Sequence, residues 1–299
     1  MTCRGELAAS FAPCIIDGGI GSPRTGMTES LPPLETAHRV LQPRRLGWLV
    51  LALVAAAAVA AMLALPRIAQ DPAYHAFADR RALLGIPNAA DVLSSLAFLA
   101  VGLLGLRVVA ARDVSFVNAR ERAPWAVTFW GVLLTAVGSA VYHLSPTNAS
   151  LALDRLAMTV GFMGLLSALI AERLGARGPL IPLLVLGAAT VVWWYASEVN
   201  GAGDLRPYVA VQAAPLVAIP LLVVLVRPRY TGSAWLLAAL ALYVAAKLAE
   251  VRDAAIFAAT AGVVSGHTLK HLLAALGIGA LVLMLSRRRP LPEPRSSRG

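Results

Sequence analysis

Eight long apolar runs dominate this sequence and constrain its fold more than any other feature. Each run is long enough, or nearly long enough, to cross the hydrocarbon core of a bilayer as a helix. Strands that span a membrane alternate between apolar and polar residues, whereas these runs are continuously apolar, so we predict helices. The runs lie at about 47–66, 90–110, 124–143, 152–171, 179–196, 207–226, 233–250 and 266–286.

The composition agrees with a membrane protein. Hydrophobic residues make up 58% of the chain and charged residues only 14%, whereas soluble domains are about 25% charged. The net charge of +10 does not indicate a nucleic-acid partner, because the basic residues are distributed between the apolar runs. The predicted fold is therefore an all-α polytopic membrane helix bundle of eight spans, with membrane lipids around it.

Both ends of the chain are polar. Residues 1–46 are rich in Gly, Pro, Ser, Thr and Arg without a sustained period, which predicts a disordered tail. The first apolar run begins too far from the N-terminus and is too long for a signal peptide. Residues 287–299 form a basic C-terminal tail. Cys3 and Cys14, both in the first tail, have no zinc-site spacing and form no disulfide framework.

Arginine placement predicts the orientation of the bundle. Arginines are concentrated in both tails and in alternate loops, and such residues remain on the cytoplasmic side. We therefore predict that both termini are cytoplasmic, as an even number of spans requires. The inner loops carry Arg107, Arg112, Arg120, Arg122, Arg173, Arg177, Arg227 and Arg229.

Chemically active side chains collect at the predicted outer ends of three spans. His143 ends the third span, Asp154 opens the fourth, and His267 and His271 open the eighth. Residues four apart share one face of a helix, so His267 and His271 present two imidazoles to one point. Ser139 likewise shares a face with His143.

Three neutral imidazoles with a carboxylate or hydroxyl are a suitable shell for Zn²⁺. A bound cation would offset the cost of placing these groups at the edge of the hydrocarbon layer. Spacing alone leaves open that the histidines are polar anchors at the membrane interface. Lys270, between two of them, is predicted to point off their common face toward the interface or an acidic partner.

Two motifs carry a resemblance to a known family. "GSAVYHLSPTNASLALDRLAM" and "SGHTLKHLLAA" contain Ser-x3-His, an Asp eleven residues after that His, and a late His-x3-His. This pattern resembles that of the alkaline ceramidases, especially their bacterial branch, within a wider seven-span group that includes the progestin and adipoQ receptors. Ser139, His143, Asp154, His267 and His271 occupy the pattern, and the resemblance covers roughly residues 70–286.

The resemblance implies a seven-span ceramidase-like core over residues 70–286, with the run at 47–66 as an additional N-terminal span. It also implies that His143, His267 and His271 bind zinc and that the metal activates water against an amide. Asp154 would then transfer the proton, while Ser139 would donate to the oxyanion or position the water.

The resemblance does not extend to calcium. Eukaryotic members of the family carry an acidic calcium motif with Trp and Glu, which the corresponding region here lacks. That region offers only Asp71, Asp79, Asn88 and Asp91.

The expected activity is hydrolysis of a lipid amide, with ceramide or another N-acyl lipid as the substrate. A site at span ends admits an acyl chain from the bilayer while the polar head faces water. A second possibility is a metal-containing receptor or sensor, although the short loops offer little to a signalling partner. A transporter is a weaker possibility, because its polar residues would lie near mid-span.

Overall fold

The computed structural model describes residues 34–176 and 179–292, and every regular element within them is a helix. Short 3₁₀ helices cover Pro72–His75 and Ala119–Glu121. The α-helices of the described residues are α1 (Leu34–Ala64), α2 (Ala89–Ser94), α3 (Leu96–Ala110), α4 (Arg122–Leu144), α5 (Asn148–Leu174), α6 (Leu180–Val199), α7 (Arg206–Leu225), α8 (Ala234–Val251), α9 (Asp253–Ala259) and α10 (Gly266–Arg287).

Eight segments of the described chain are long and apolar enough to cross a membrane. Each coincides with one of the predicted runs, and α2 and α3 together form the second, broken at Ser95. The prediction of an all-α, multi-pass membrane bundle is therefore confirmed. The segments are Arg44–Ala64, Ala89–Ala110, Ala119–Leu144, Asn148–Leu174, Leu180–Val199, Arg206–Leu225, Ala234–Val251 and Gly266–Arg287.

Two helices begin earlier than their apolar runs. Helix α5 begins at Asn148, because Thr147 and Ser150 form a reciprocal capping box that satisfies its first backbone N–H groups. Asp154 consequently lies in the second turn rather than at the helix end. Helix α1 begins at Leu34, so residues 34–46 of the predicted tail are helical. The predicted tail segments 1–33 and 293–299 lie outside the described residues.

Seven of the eight spans form a ring. Around the ring, α3 packs on α4, α4 on α5, α5 on α6, α6 on α7, α8 on α10, and α10 on α3. Helices α7 and α8, which complete the ring, contact each other at only a few points. Helix α1 packs outside the ring against α7 and α5. Helix α1 is therefore peripheral to this ring.

Glycines bring α4 and α5 into backbone contact. A Cβ on Gly131 would lie 2.2 Å from the backbone nitrogen of Gly161, and one on Gly138 would lie 2.9 Å from the Cα of Asp154. Small residues at membrane helix interfaces permit such close approach. Because Gly138 immediately precedes Ser139, this contact places Ser139 and Asp154 at the same depth of the bundle.

The first turn of α10 is held tightly against α8 and α9. A Cβ on Gly266 would lie 2.2 Å from the carbonyl oxygen of Ala249. The Ser265 hydroxyl accepts a hydrogen bond from the backbone N–H of Thr268 at 2.9 Å, and Asp253 accepts one from that of His267 at 2.8 Å. These contacts satisfy free N–H groups of the helix start and fix the direction of the histidine side chains.

The opposite end of the bundle contains a buried ion pair. Arg288, which directly follows α10, pairs with Glu172 near the end of α5, and both side chains are almost fully buried. Glu172 also accepts a hydrogen bond from the indole N–H of Trp125 at 2.6 Å. The pair joins the last membrane span to α4 and α5 far from the histidines.

Candidate metal centre

Three histidines from two helices converge at one end of the bundle. His143 lies in the last turn of α4, and His267 and His271 lie in the first two turns of α10. Their ring centroids are 4.7 Å (143 to 267), 5.0 Å (143 to 271) and 5.0 Å (267 to 271) apart. One nitrogen from each lies within 4.8 Å of the others. The prediction that these three residues meet is confirmed.

The surroundings of the histidines fit a metal ion. His143, His267 and His271 are 1%, 5% and 3% exposed. Neither ring nitrogen of His143 has a hydrogen-bond partner among the described residues, although buried polar atoms are normally paired. A metal held by the three imidazoles would take up one of these orphaned atoms, and three histidines are a known zinc ligand set.

His271 is oriented by a chain of hydrogen bonds from the break between α2 and α3. The Ser94 hydroxyl lies 2.8 Å from Nδ1 of His271 and 3.0 Å from the carbonyl oxygen of Asp91. Because a carbonyl can only accept, Ser94 donates to it and accepts the Nδ1–H of His271. The Nε2 lone pair of His271 is then directed into the site, which is the usual arrangement of a metal-binding histidine.

Ser139 also lies beside His271, with its hydroxyl 3.5 Å from Nε2. The same hydroxyl lies 3.0 Å from that of Ser95, which donates to the carbonyl oxygen of Asp91 at 3.0 Å. With the Ser95 proton on that carbonyl, Ser95 accepts from Ser139 and the Ser139 proton points away from the histidines. This arrangement leaves the oxygen lone pairs of Ser139 facing the site and favours positioning of water over donation to an oxyanion.

Lys270 departs from the sequence prediction. Its ammonium does bind an acidic partner, Glu250, at 2.9 Å. The prediction that it points off the histidine face is wrong, because the same nitrogen lies 2.8 Å from Nε2 of His267. Lysine has no acceptor, so it donates to Nε2 and occupies a lone pair that a metal bound through this nitrogen would need. The long lysine stem allows this reach, which residue spacing on a helix does not reveal.

Glu250 is the centre of an ion-pair network on the His267 side. It binds Lys270 and also Lys247, three residues before it on α8. The Tyr74 hydroxyl donates to the same carboxylate at 3.1 Å. Burial and the neighbouring carboxylate raise the pKa of Tyr74 well above its ordinary value, so it stays a neutral donor. Glu250 thereby offsets the positive charge next to His267.

A cavity of about 340 Å³ opens beside the histidines, between α3, α4, α5, α7, α8 and α10. Ser139, Asp154 and His271 line one part of it, so three of the predicted site residues share a single space. Most of the remaining wall is apolar, and the volume is typical of small-ligand pockets. The apolar wall consists mainly of Phe98, Val132, Met158, Phe162, Leu165, Leu216, Ile219, Leu236, Leu240, Ala274, Ile278 and Leu281.

Asp154 presents a free oxygen to this region. Its Oδ1 is buried and has no hydrogen-bond partner among the residues that the structure describes. A buried carboxylate oxygen is normally paired, so Asp154 is available to a ligand or water in the cavity.

Other polar residues near this end of the bundle have partners of their own. His75 lies 3.0 Å from the Tyr142 hydroxyl and 3.0 Å from the side-chain oxygen of Asn148, outside the triad. In the region considered for calcium, Asp79 pairs with Arg81 at 2.6 Å. The other three form separate contacts: Asp71 with Ala73, Asn88 with His143, and Asp91 with Thr268.

Sequence reasoning missed the charged wall of the cavity. Lys247 and Glu250 form an ion pair, and both line the cavity together with Arg155 and Lys270. The signal was present, because a charged residue within a membrane span is a functional candidate by default.

Fold and site together define a multi-pass membrane protein with a buried three-histidine centre at one end of the bundle. Comparisons with known proteins add no relative: no family model matches the chain, and neither a curated protein nor a solved structure matches it. Function must therefore be argued from the residues of the site.

Proposed function

We propose that this chain is an integral-membrane, zinc-dependent amide hydrolase that acts on ceramide or a related N-acyl lipid. The observation that carries the proposal is the meeting of His143, His267 and His271 beside a largely apolar cavity that also contains Asp154 and Ser139. The resemblance of the same five residues to the alkaline ceramidase pattern supports it. The predicted topology places the site toward the extracytoplasmic face.

Each side chain has a task in such a reaction. His143, His267 and His271 would hold the ion, with His271 oriented through Ser94. A zinc ion on three imidazoles supplies a Lewis acid that activates water and polarises a carbonyl. The apolar wall holds the acyl chain and excludes bulk water from the reacting amide.

Asp154 performs the proton transfer. Its unpaired Oδ1 accepts a proton from the attacking water as the water oxygen bonds to the carbonyl carbon. The same proton then passes to the amide nitrogen as the C–N bond breaks, which releases a fatty acid and an amine. Ser139, whose proton is directed to Ser95, accepts a hydrogen bond from the water and fixes its direction of attack.

Hydrolysis of N-palmitoyl-sphingosine by the purified protein tests this proposal, with and without a chelator. We expect release of palmitate that the chelator abolishes and zinc restores. Asp154→Asn should retain zinc and substrate binding while turnover falls by about 10²–10⁴-fold, the usual contribution of general acid–base catalysis. The matched control is Asp113→Asn, an exposed carboxylate in the α3–α4 loop at the other end of the bundle.

The results also separate the proposal from its alternative. Binding of the lipid with no release of palmitate under any metal condition would contradict the hydrolase and favour a receptor or sensor. Loss of zinc in Asp154→Asn would make Asp154 a metal ligand or a support of one. Unchanged turnover in that variant would remove it from the reaction.

A further inference from the structure

A buried arginine in the cavity wall has no counter-ion among the described residues. Arg155 follows Asp154 on α5, lines the cavity and is 5% exposed. Its Nη2 donates to the side-chain oxygen of Gln70 at 2.7 Å, whereas Nη1 is buried and has no partner within the described residues. None of the carboxylates that the structure describes lies within 4.0 Å of its guanidinium. Charge buried in this way is costly unless a partner neutralises it.

Aromatic rings hold the Arg155 guanidinium in place. Its central carbon lies 4.1 Å from the ring centre of Trp194 and 4.7 Å from that of Tyr208. These cation–π contacts compensate part of the lost hydration and fix the plane of the group. Stacking on the ring faces, however, gives no hydrogen-bond partner to Nη1, which lies at an edge of the guanidinium. That edge is suited to carboxylate or phosphate oxygens, which guanidinium binds in a planar, two-point manner.

The other charged side chains that line the described cavity do not form an ion pair with Arg155. Lys247 and Lys270 both bind Glu250, so that carboxylate is already shared. Asp154 makes no ion pair with Arg155. Three cationic and two anionic side chains line the described cavity wall, which therefore carries a net charge of plus one. A neutral headgroup would leave this charge uncompensated.

We propose that Arg155 binds an anionic oxygen group of the substrate, so that this protein prefers N-acyl lipids with a carboxylate or phosphate near the amide over neutral ceramides. Arg155 and Asp154 line the same cavity, so an anion bound by Arg155 shares that space with Asp154. This inference rests on the proposed function, because it treats the bound lipid as a substrate. The binding of an anionic amide lipid, however, does not require turnover.

Two matched pairs of lipids test the inference. N-palmitoylglycine and N-palmitoylethanolamine have the same acyl amide, but the first carries a carboxylate where the second carries a hydroxymethyl group. Ceramide 1-phosphate and ceramide provide the corresponding phosphate pair. Binding is measured in detergent with a chelator present, by the ligand-dependent shift in melting temperature, and hydrolysis is measured with zinc.

In one of the two lipid pairs, we expect the anionic lipid to bind roughly 10- to 100-fold more tightly than the neutral lipid. Charge-assisted hydrogen bonds can provide a difference of this size. A preference in the first pair assigns a carboxylate, and one in the second assigns a phosphate. Arg155→Gln should abolish the preference, and Arg155→Lys should weaken it because lysine lacks the planar fork. Arg252→Gln, an exposed residue outside the cavity, should retain it.

The preference is the ratio of two lipid affinities measured on one protein preparation. Partial misfolding of a variant therefore does not produce a false loss of preference. Should Arg155→Gln fail to fold, the comparison of Arg155→Lys with wild type decides. Equal binding of neutral and anionic lipids, or a preference that survives both variants, overturns the inference. Hydrolysis without preference refutes the anion site alone. Arg155-dependent preference without hydrolysis refutes the hydrolase and leaves the anion site standing.

Discussion

Replacing Lys270 with methionine should strengthen zinc binding. The Lys270 ammonium donates to Nε2 of His267 at 2.8 Å, so a metal that uses this nitrogen must first break the hydrogen bond. Hydrogen bonds to charged groups contribute about 1.5–3 kcal/mol, and 1.4 kcal/mol corresponds to a factor of ten. The Lys270→Met variant should therefore bind zinc roughly 10- to 100-fold more tightly. Loss of a positive charge beside a divalent cation acts in the same direction.

The assay is a competition titration of zinc between the purified protein and a chelator of known affinity, at fixed pH. Lys247→Met is the matched control, because Lys247 binds the same Glu250 carboxylate but does not contact His267. Its zinc affinity should change little. Equal gains in both variants would show that only the overall charge matters. Unchanged or weaker affinity in Lys270→Met would show that the metal does not use Nε2 of His267.

Three further predictions follow from the helix arrangement. Purified protein should hold about one zinc per chain by elemental analysis, and His267→Ala or His271→Ala should remove most of it; full occupancy in both variants would exclude the site. A topology reporter fused to the C-terminus should read cytoplasmic and one inserted at Asn148 should read extracytoplasmic; the reverse result would move the chemistry to the other face. Glu172→Gln should destabilise the protein by about 3–5 kcal/mol, because Arg288 remains buried and unpaired. A double variant that also replaces Arg288 with methionine should regain part of the loss in a melting experiment, and no recovery would argue against the ion pair as the cause.

The bundle was predictable because continuous apolar runs in a membrane can form little besides helices. Helix ends were less predictable, since they depend on caps rather than on apolarity. Thr147 and Ser150 are polar and look like loop residues, yet their reciprocal hydrogen bonds start α5 before the apolar run. Similarly, the break at Ser95 divides the second span, although no proline or glycine marks it.

The metal centre was predictable for a different reason. His267 and His271 share a helix face by spacing alone, and their meeting with His143 followed from the placement of all three at span ends. The environment of Arg155 was not predictable, because Trp194, Tyr208 and Gln70 come from α6, α7 and a loop. Only the packing of these distant segments shows that the arginine is held by rings and left without a carboxylate.

The division of the triad between α4 and α10 has a consequence for biogenesis. His143 enters the membrane early in synthesis, whereas His267 and His271 arrive with the final helix. A nascent chain therefore has no complete centre until its last span is inserted and packed against α8 and α3. A metal that binds only the finished site would stabilise chains that contain α10 and would not stabilise chains truncated before it.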